Sequence, residues 1–275
     1  MSLIIPVVYS ALVREKFLGK IKVATLATNL GELMNTNVGD TVSFPKFKTI
    51  GDADEVVKGT ASTITSLEQD ESTAKIKMID KIIRIFDMDN LTSLGNHVEE
   101  ASKQQAIVFA RKLDSDLVEE AKTSSLKKAT ASANAITATE LNSALALFGD
   151  EQDVEDMSGI VVHSLVASSF YAMTEFVSNR TDTVQGNGIV TGGCIGFFRG
   201  IPVFMSDHGT YDSVAVECVT LIIKKDALAY MEKRAINIVE EVESKLHASD
   251  VVGDYIYSVK LINDAGVVVV RKTIV

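Results

Sequence analysis

The sequence predicts an α+β protein, and three features predict it. Short apolar or alternating segments of strand length recur from residue 38 to the end of the chain. One long stretch, 93–123, carries its apolar residues at spacings of three and four, the signature of a helix. Between two strand-like segments lies a polar excursion, 51–74, too long to be an ordinary turn. The composition suits a folded chain of one large or two modest domains: 275 residues, 46% hydrophobic and 23% charged.

The N-terminal lead, 1–38, reads as partly helical, with residues 8–18 compatible with a helix that Gly19 caps. Its apolar start has no preceding positive charge and is interrupted by Pro6, which makes a poor signal peptide. No segment reaches the roughly 18 apolar residues that span a bilayer. The expectation is a protein that works where it is made, or in something assembled there, with no membrane partner.

Gly39-Asp40 is a turn pair, and Thr41-Val42-Ser43-Phe44 alternates as a strand does. Pro45 lacks the N–H a central ladder needs, so this strand lies at an edge or ends there. Residues 60–65 alternate weakly, and the whole excursion reads as a β-hairpin projecting from the body. Residues 75–87 form its return strand. Their alternation breaks near Ile82-Ile83, which suggests a bulge.

The 93–123 helix has an apolar side of Leu91, Leu94, Val98, Ala101, Ala106, Phe109, Leu113, Leu117 and Ala121. Glu99, Glu100, Lys103, Arg111, Lys112, Asp116, Glu119 and Glu120 fill the other side. At 1.5 Å per residue it is roughly 45 Å long, enough to span a domain. The same pattern also fits a plain surface helix.

Residues 127–135 read as a small-residue linker. Thr137 and Glu140 then fit a capping box, with Leu141, Leu145 and Phe148 as buried candidates and Gly149 as the stop. Residues 160–162 are a buried strand and 165–176 a helix. Glycine-rich 186–200 leads into a hairpin, 195–206, turning at Arg199-Gly200. Residues 217–224, 236–242, 255–263 and 267–274 are strands, 226–231 looks helical, and Asp264-Ala265-Gly266 is a hairpin turn.

The chemistry-bearing residues are sparse. Cys194 and Cys218 belong to no CxxC and suit two buried thiols in a reducing cytosol. His97, His163, His208 and His247 show no ligand spacing. Gly193 is followed by Cys194-Ile195 where a phosphate-cradling loop needs Lys and Ser or Thr, and Thr191 replaces the third glycine of a dinucleotide fingerprint. Ser125 and Lys128 match SxxK without its companion motifs. No catalytic, cofactor-binding or metal-binding residue is therefore assigned, and no cofactor is implied. An alternative stays open: a cytosolic metal-dependent enzyme with Asp153, Asp156, His163 and Asp207 converging on the metal.

Charge is uneven. The net charge is −10, which argues against a general nucleic-acid binder. Residues 1–48 hold six basic and three acidic side chains, a net of +3, so the remainder carries −13. Between 129 and 179 there are seven acids and no lysine or arginine. The 150–156 cluster fits a solvated loop, a divalent-cation site or a contact with a basic patch on a neighbouring subunit.

Taken in order, these segments resemble the tailed-bacteriophage major capsid proteins, with the Hong Kong 97-like fold shared by herpesvirus capsids. Pro6-Val7-Val8-Tyr9-Ser10-Ala11-Leu12 is similar to the family's N-terminal PxxWSxxL segment, with Tyr9 in place of Trp. Gly39-Asp40-Thr41-Val42-Ser43-Phe44-Pro45-Lys46 is similar to its GDTVxxPK stretch before the extended loop. The 93–123 helix resembles its spine helix. Residues 196–206, GFFRGIPVFMS, resemble its GxxxGxPVxxS hairpin, and Lys224-Lys225-Asp226-Ala227-Leu228 its xKxAL segment.

The resemblance implies assembly rather than catalysis. It implies an N-terminal arm at 1–38 and an extended loop at 39–75. A peripheral domain is implied at 76–125 with 234–263, and an axial domain at 126–233 with 264–275. Such a subunit would form pentamers and hexamers, its loop and arm reaching neighbouring copies. The icosahedral shell would enclose phage double-stranded DNA without reading its sequence. A scaffolding protein and a portal are the implied partners, and the virion capsid, assembled in the bacterial host cytoplasm, is the implied location. Lys58 is a conceivable loop lysine for crosslinking, with no identifiable partner. Another virion component, a tail or decoration protein, is the remaining alternative.

Overall fold

The computed structural model describes residues 13, 17, 20–32, 41–47, 53, 55, 58, 59, 64–88, 97–150, 152–178 and 193–274. It is a mixed α+β fold with two principal sheets. The four-stranded sheet has the order β1-β13-β14-β4, built from β1 (Thr28–Glu32), β13 (Leu228–Glu243), β14 (Ala248–Leu261) and β4 (Lys77–Phe86). The seven-stranded sheet has the order β5-β15-β12-β6-β9-β8-β7. Its strands are β5 (Leu126–Ala129), β6 (Met157–Val162), β7 (Phe176–Ser178), β8 (Cys194–Phe198), β9 (Ile201–Met205), β12 (Thr220–Lys224) and β15 (Val267–Arg271). Two ribbons complete the strands: β2 (Thr41–Phe47) with β3 (Gln69–Lys75), and β10 (Tyr211–Asp212) with β11 (Glu217–Cys218).

Helix α1 (His97–Ala121) lies on the four-stranded sheet. Its 25 residues span about 37 Å at 1.5 Å each. Ala101, Ala106, Phe109, Leu113, Leu117 and Ala121 are buried as the periodicity predicts. Asp116 departs from the expected polar side: it is buried, because its carboxylate receives Lys112 Nζ at 3.0 Å and Tyr257 Oη at 2.6 Å. Leu91 and Leu94 lie outside the described residues.

The seven-stranded sheet explains why its strands are apolar without alternation. Val161, Leu221, Ile223, Val267 and Val269 enter the core shared with α1 and the four-stranded sheet. Ile160, Val162, Ile222, Val268 and Val270 enter a second core. That core is closed by α2 (Ala138–Leu145) and α3 (Ser164–Tyr171), which supply Leu141, Leu145, Val166 and Phe170. A strand covered on both faces needs apolar residues at every position.

Several local expectations hold. Thr137 and Glu140 form the reciprocal capping box of α2, and Gly149 ends the following 3₁₀ turn at φ 65°. Arg199 and Gly200 both have positive φ, 50° and 84°, as a two-residue hairpin turn of type I′ requires.

Others are corrected. Residues 226–231 are not helical: Asp226 turns at φ 58° and β13 begins at Leu228, paired to Leu261. Residues 126–129 overlap the expected linker but form β5 along β15. Asp264-Ala265-Gly266 is a 3₁₀ turn that carries the chain from one sheet to the other, so it joins no hairpin. The 75–87 segment is two strands: the chain leaves the β2–β3 ribbon at Ile76 and enters the four-stranded sheet. No bulge occurs at Ile82-Ile83, where β4 runs in unbroken register with β14. Helix α3 stops at Tyr171, and Phe176 already belongs to β7. The lead contributes β1, a strand its residue pattern does not suggest, pairing parallel to β13. Val13 and Phe17, one turn apart, are helical and buried; the rest of the expected 8–18 helix and the Gly39-Asp40 turn lie outside the described residues.

Candidate assembly interface

The β2–β3 ribbon is an arm with a rooted base. Val42, Phe44 and Ala74 point to one side and are buried against Ala229, with Ile76, Met231 and Ile262 around them. Pro45 sits within β2, opposite Glu71, in a ribbon of two strands where both members are edges. No ladder donor is therefore missed on a second side. Beyond the ribbon the chain presents Ile64, 96% exposed, and Leu67 to solvent. Residues 64 and 65 are not in a strand, and 60–63 lie outside the described residues. The arm is anchored by the body rather than projecting from its first residue.

The four-stranded sheet has one face under α1; the other carries the ribbon base at Ala229 and Met231 and is open along β4. Register places Met78, Ile82 and Phe86 of β4 on the open face, opposite Ile256, Val252 and Ala248 of β14. Val252 in turn pairs with Val239 of β13. Met78, Ile82 and Phe86 are 63%, 53% and 44% exposed. Ion pairs flank this strip: Arg84 with Asp250 at 2.6 Å, and Arg234 with Asp254. The Asp250 carboxyl is held low by its hydrogen bond from Arg84. On the other principal sheet, the cross-strand pair Val177 and Phe197 is also exposed. Exposed apolar groups on strands of defined register are what a subunit that packs on other subunits presents.

The sequence offered a signal for the open face. β4 is apolar at both parities, Met78 and Ile82 on one side and Ile79, Ile83 and Ile85 on the other, although only one side packs on the body.

The dispersed set Asp153, Asp156, His163 and Asp207 does not converge. Asp153 and Asp156 lie in the turn before β6, and His163 and Asp207 lie at its far end, about 20 Å away at 3.3 Å per residue. Among the described residues no group of three potential ligands could hold a metal ion. Asp153, Glu155 and Asp156 are exposed, a solvated turn. Asp207 acts locally, at the start of α3. Burial works against its ionisation, but the Ser164 N–H at 2.8 Å outweighs it and holds the carboxyl low. His163 Nδ1 accepts the Leu165 N–H at 3.2 Å, which caps α3. Cys218 is buried and Cys194 half-buried, and neither is disulfide-bonded. Burial pushes the Cys218 thiol up, away from reactive thiolate. Lys58 is exposed beside Gly59, at φ 93°. No described helix is long and apolar enough to cross a membrane.

No family model matches the chain. It is 28% identical over 226 residues to the major capsid protein of Staphylococcus phage phiMR11, covering 81% of this chain and 80% of that one. Its fold matches the capsid of cyanophage P-SCSP1u with a TM-score of 0.63 at 16% identity, covering 90% and 86% of the two chains. It matches the capsid of the native GTA particle at 0.66 and 11%, covering 92% and 90%. Mycobacterium phage Adephagia gives 0.62 and 13%, covering 93% and 91%.

The chain is similar in sequence to a phage major capsid protein and has the fold of tailed-phage capsid proteins. The solved structures that share this fold are subunits of capsid shells. The buried carboxylates Asp114 and Asp116 join elements of the chain to one another.

Proposed function

We propose that this chain is a major capsid protein that assembles as pentamers and hexamers into an icosahedral shell enclosing phage double-stranded DNA. The observation that carries the reading is the arm: its base is buried on the body through Phe44, while Ile64 and Leu67 extend bare beyond it. An apolar side chain left in water gains stability when a neighbouring copy covers it.

In this reading the extended loop is 39–75 and the N-terminal arm 1–38. The peripheral domain is 76–125 with 234–263, and the axial domain is 126–233 with 264–275. The role is structural rather than catalytic. A chain of net charge −10 has no general attraction for phosphates, so DNA is enclosed rather than read. Scaffolding protein and portal are the proposed partners in the host cytoplasm.

The test is negative-stain microscopy of the expressed protein, alone and with a co-expressed scaffold. Regular shells or capsomers support the reading. Stable monomers under every condition, with scaffold present, overturn it.

A further inference from the structure

Residues 20–28 run along the junction of the two principal sheets, and each tether they make goes to a different element. Lys22 N–H donates to Asp114 Oδ2 and Ala24 N–H to Asp114 Oδ1, both at 2.9 Å, fastening the segment to α1. Lys22 Nζ donates to the Met205 carbonyl of β9 at 2.9 Å. Ser158 Oγ of β6 donates to the Leu26 carbonyl at 2.9 Å. Thr28 Oγ1 donates to Asp226 Oδ1 at 2.7 Å, and from Thr28 the chain becomes β1 on the four-stranded sheet. Val23, Ala24 and Leu26 are buried in the core between the sheets. Leu26 fits so closely on β6 that a Cβ on Gly159 would stand 3.1 Å from its Cδ2.

We propose that residues 20–28 are a strap locking the four-stranded sheet to the seven-stranded sheet, with Asp114 as its pin, and that proton uptake by the pin tightens the strap. This does not depend on the shell reading. Asp114 is 1% exposed, and both its oxygens point at strap N–H groups. Burial pushes its carboxyl up to about 6, against the pull of the Ala24, Lys22 and Val23 N–H groups and the Lys22 charge. The other groups facing this site are the Tyr230 phenol of β13 and, around Lys22, Asp207, His208 and Arg111. Burial, then the Arg111 and Lys22 charges, hold His208 low, so its own proton arrives below its ordinary range.

With the strap open, Asp114 is an ordinary solvated carboxyl of pKa about 3.9. The closed strap therefore binds the proton more tightly, and closing is favoured as pH falls from above 6 towards 4. Two units of difference correspond to about 100-fold in the opening equilibrium. The protonated acid can still accept both N–H groups, since its hydroxyl oxygen keeps a lone pair.

Hydrogen exchange of peptides covering 20–28, in the full unassembled chain between pH 4.5 and 7.5 and corrected for intrinsic rates, tests this. Protection should begin to rise as pH falls through about 6 and should climb tens-fold by pH 4.5. Asp114→Asn should be flat with pH. Ser158→Ala, which removes a different tether and keeps the pin, should lower protection at every pH with the onset unmoved. Wild-type protection that is flat or falls with acid, or a Ser158→Ala variant that loses the acid-dependent rise, overturns the proposal. So does an Asp114→Asn variant that keeps it.

Discussion

Tyr257 donates its phenolic hydroxyl to Asp116 Oδ2 at 2.6 Å, joining β14 to the buried side of α1. The same carboxylate faces Lys77 Nζ of β4 at 3.3 Å and Lys112 Nζ of its own helix at 3.0 Å. The Tyr257 ring stacks on Tyr255 with centroids 4.8 Å apart. One buried charge thus ties the long helix to two adjacent strands, and its lysines reach it from the solvent side.

Tyr257→Phe should lower stability by about 1–3 kcal/mol, because a buried carboxylate loses a donor while the ring packing stays. Thermal unfolding of the unassembled subunit reads it. Burial opposes ionisation of Asp116, but Tyr257 and Lys112 outweigh it and leave the carboxyl below its ordinary 3.8. Its contribution is therefore present above the unfolded pKa and is lost as pH falls through the lower folded value. The gap between wild type and Tyr257→Phe should narrow in acid below about pH 4. A gap that widens there contradicts the assignment.

Arg271→Met should be more costly. Arg271 reaches Asp212 at 2.8 Å and also pairs with Glu217, which is 1% exposed. Removing the cation leaves Glu217 charged and buried, a loss of about 3 kcal/mol or more. Chemical denaturation checks this. The double variant Arg271→Met with Glu217→Gln should recover part of the loss.

Gly266→Ala should destabilise by about 1–3 kcal/mol through overpacking. A Cβ there would stand 2.6 Å from the Ala227 Cβ, closer than packed atoms approach. Thermal melts of Gly266→Ala alone and combined with Ala227→Gly distinguish a local clash from a backbone effect: the second change should restore most of the loss.

Replacing residues 48–68 with a short Gly-Ser turn keeps the β2–β3 pairing and the Phe44 anchor. The subunit should keep its circular dichroism and melt within about 1 kcal/mol of wild type, as surface changes do. Under the assembly reading it should form no normal shells by electron microscopy. Normal shells from this variant exclude the arm from assembly.

Local contacts are legible in the chain. Thr137 and Glu140 announce their helix because a capping box is a contact within four residues. Arg199-Gly200 announces its turn because the hairpin needs φ above zero at both positions. The apolar side of α1 follows from helical spacing. The failures sit where distant partners decide. Leu228 to Met231 look helical in isolation, yet they pair along β14, from Leu261 to Ser258, so pairing overrides propensity. Residues 127–129 look like linker because an edge strand of four residues has too little pattern to read. Among the candidate functional residues, the set from Asp153 to Asp207 is separated by the length of β6, a distance that residue type cannot convey.

The class of fold, the arm and the long helix are written in local spacing and composition, so reading the chain in one dimension is enough to find them. Three features needed the folded molecule. These are the side of β4 that is left open, the burial of Asp114 and Asp116 among apolar residues, and the crossing of residues 20–28 between two sheets. The physical reason is the same in each case. A carboxylate becomes worth burying, and a strand side worth exposing, only through groups that folding brings near from far along the chain. Asp114 is 90 residues from Ala24, and Tyr257 is 141 from Asp116.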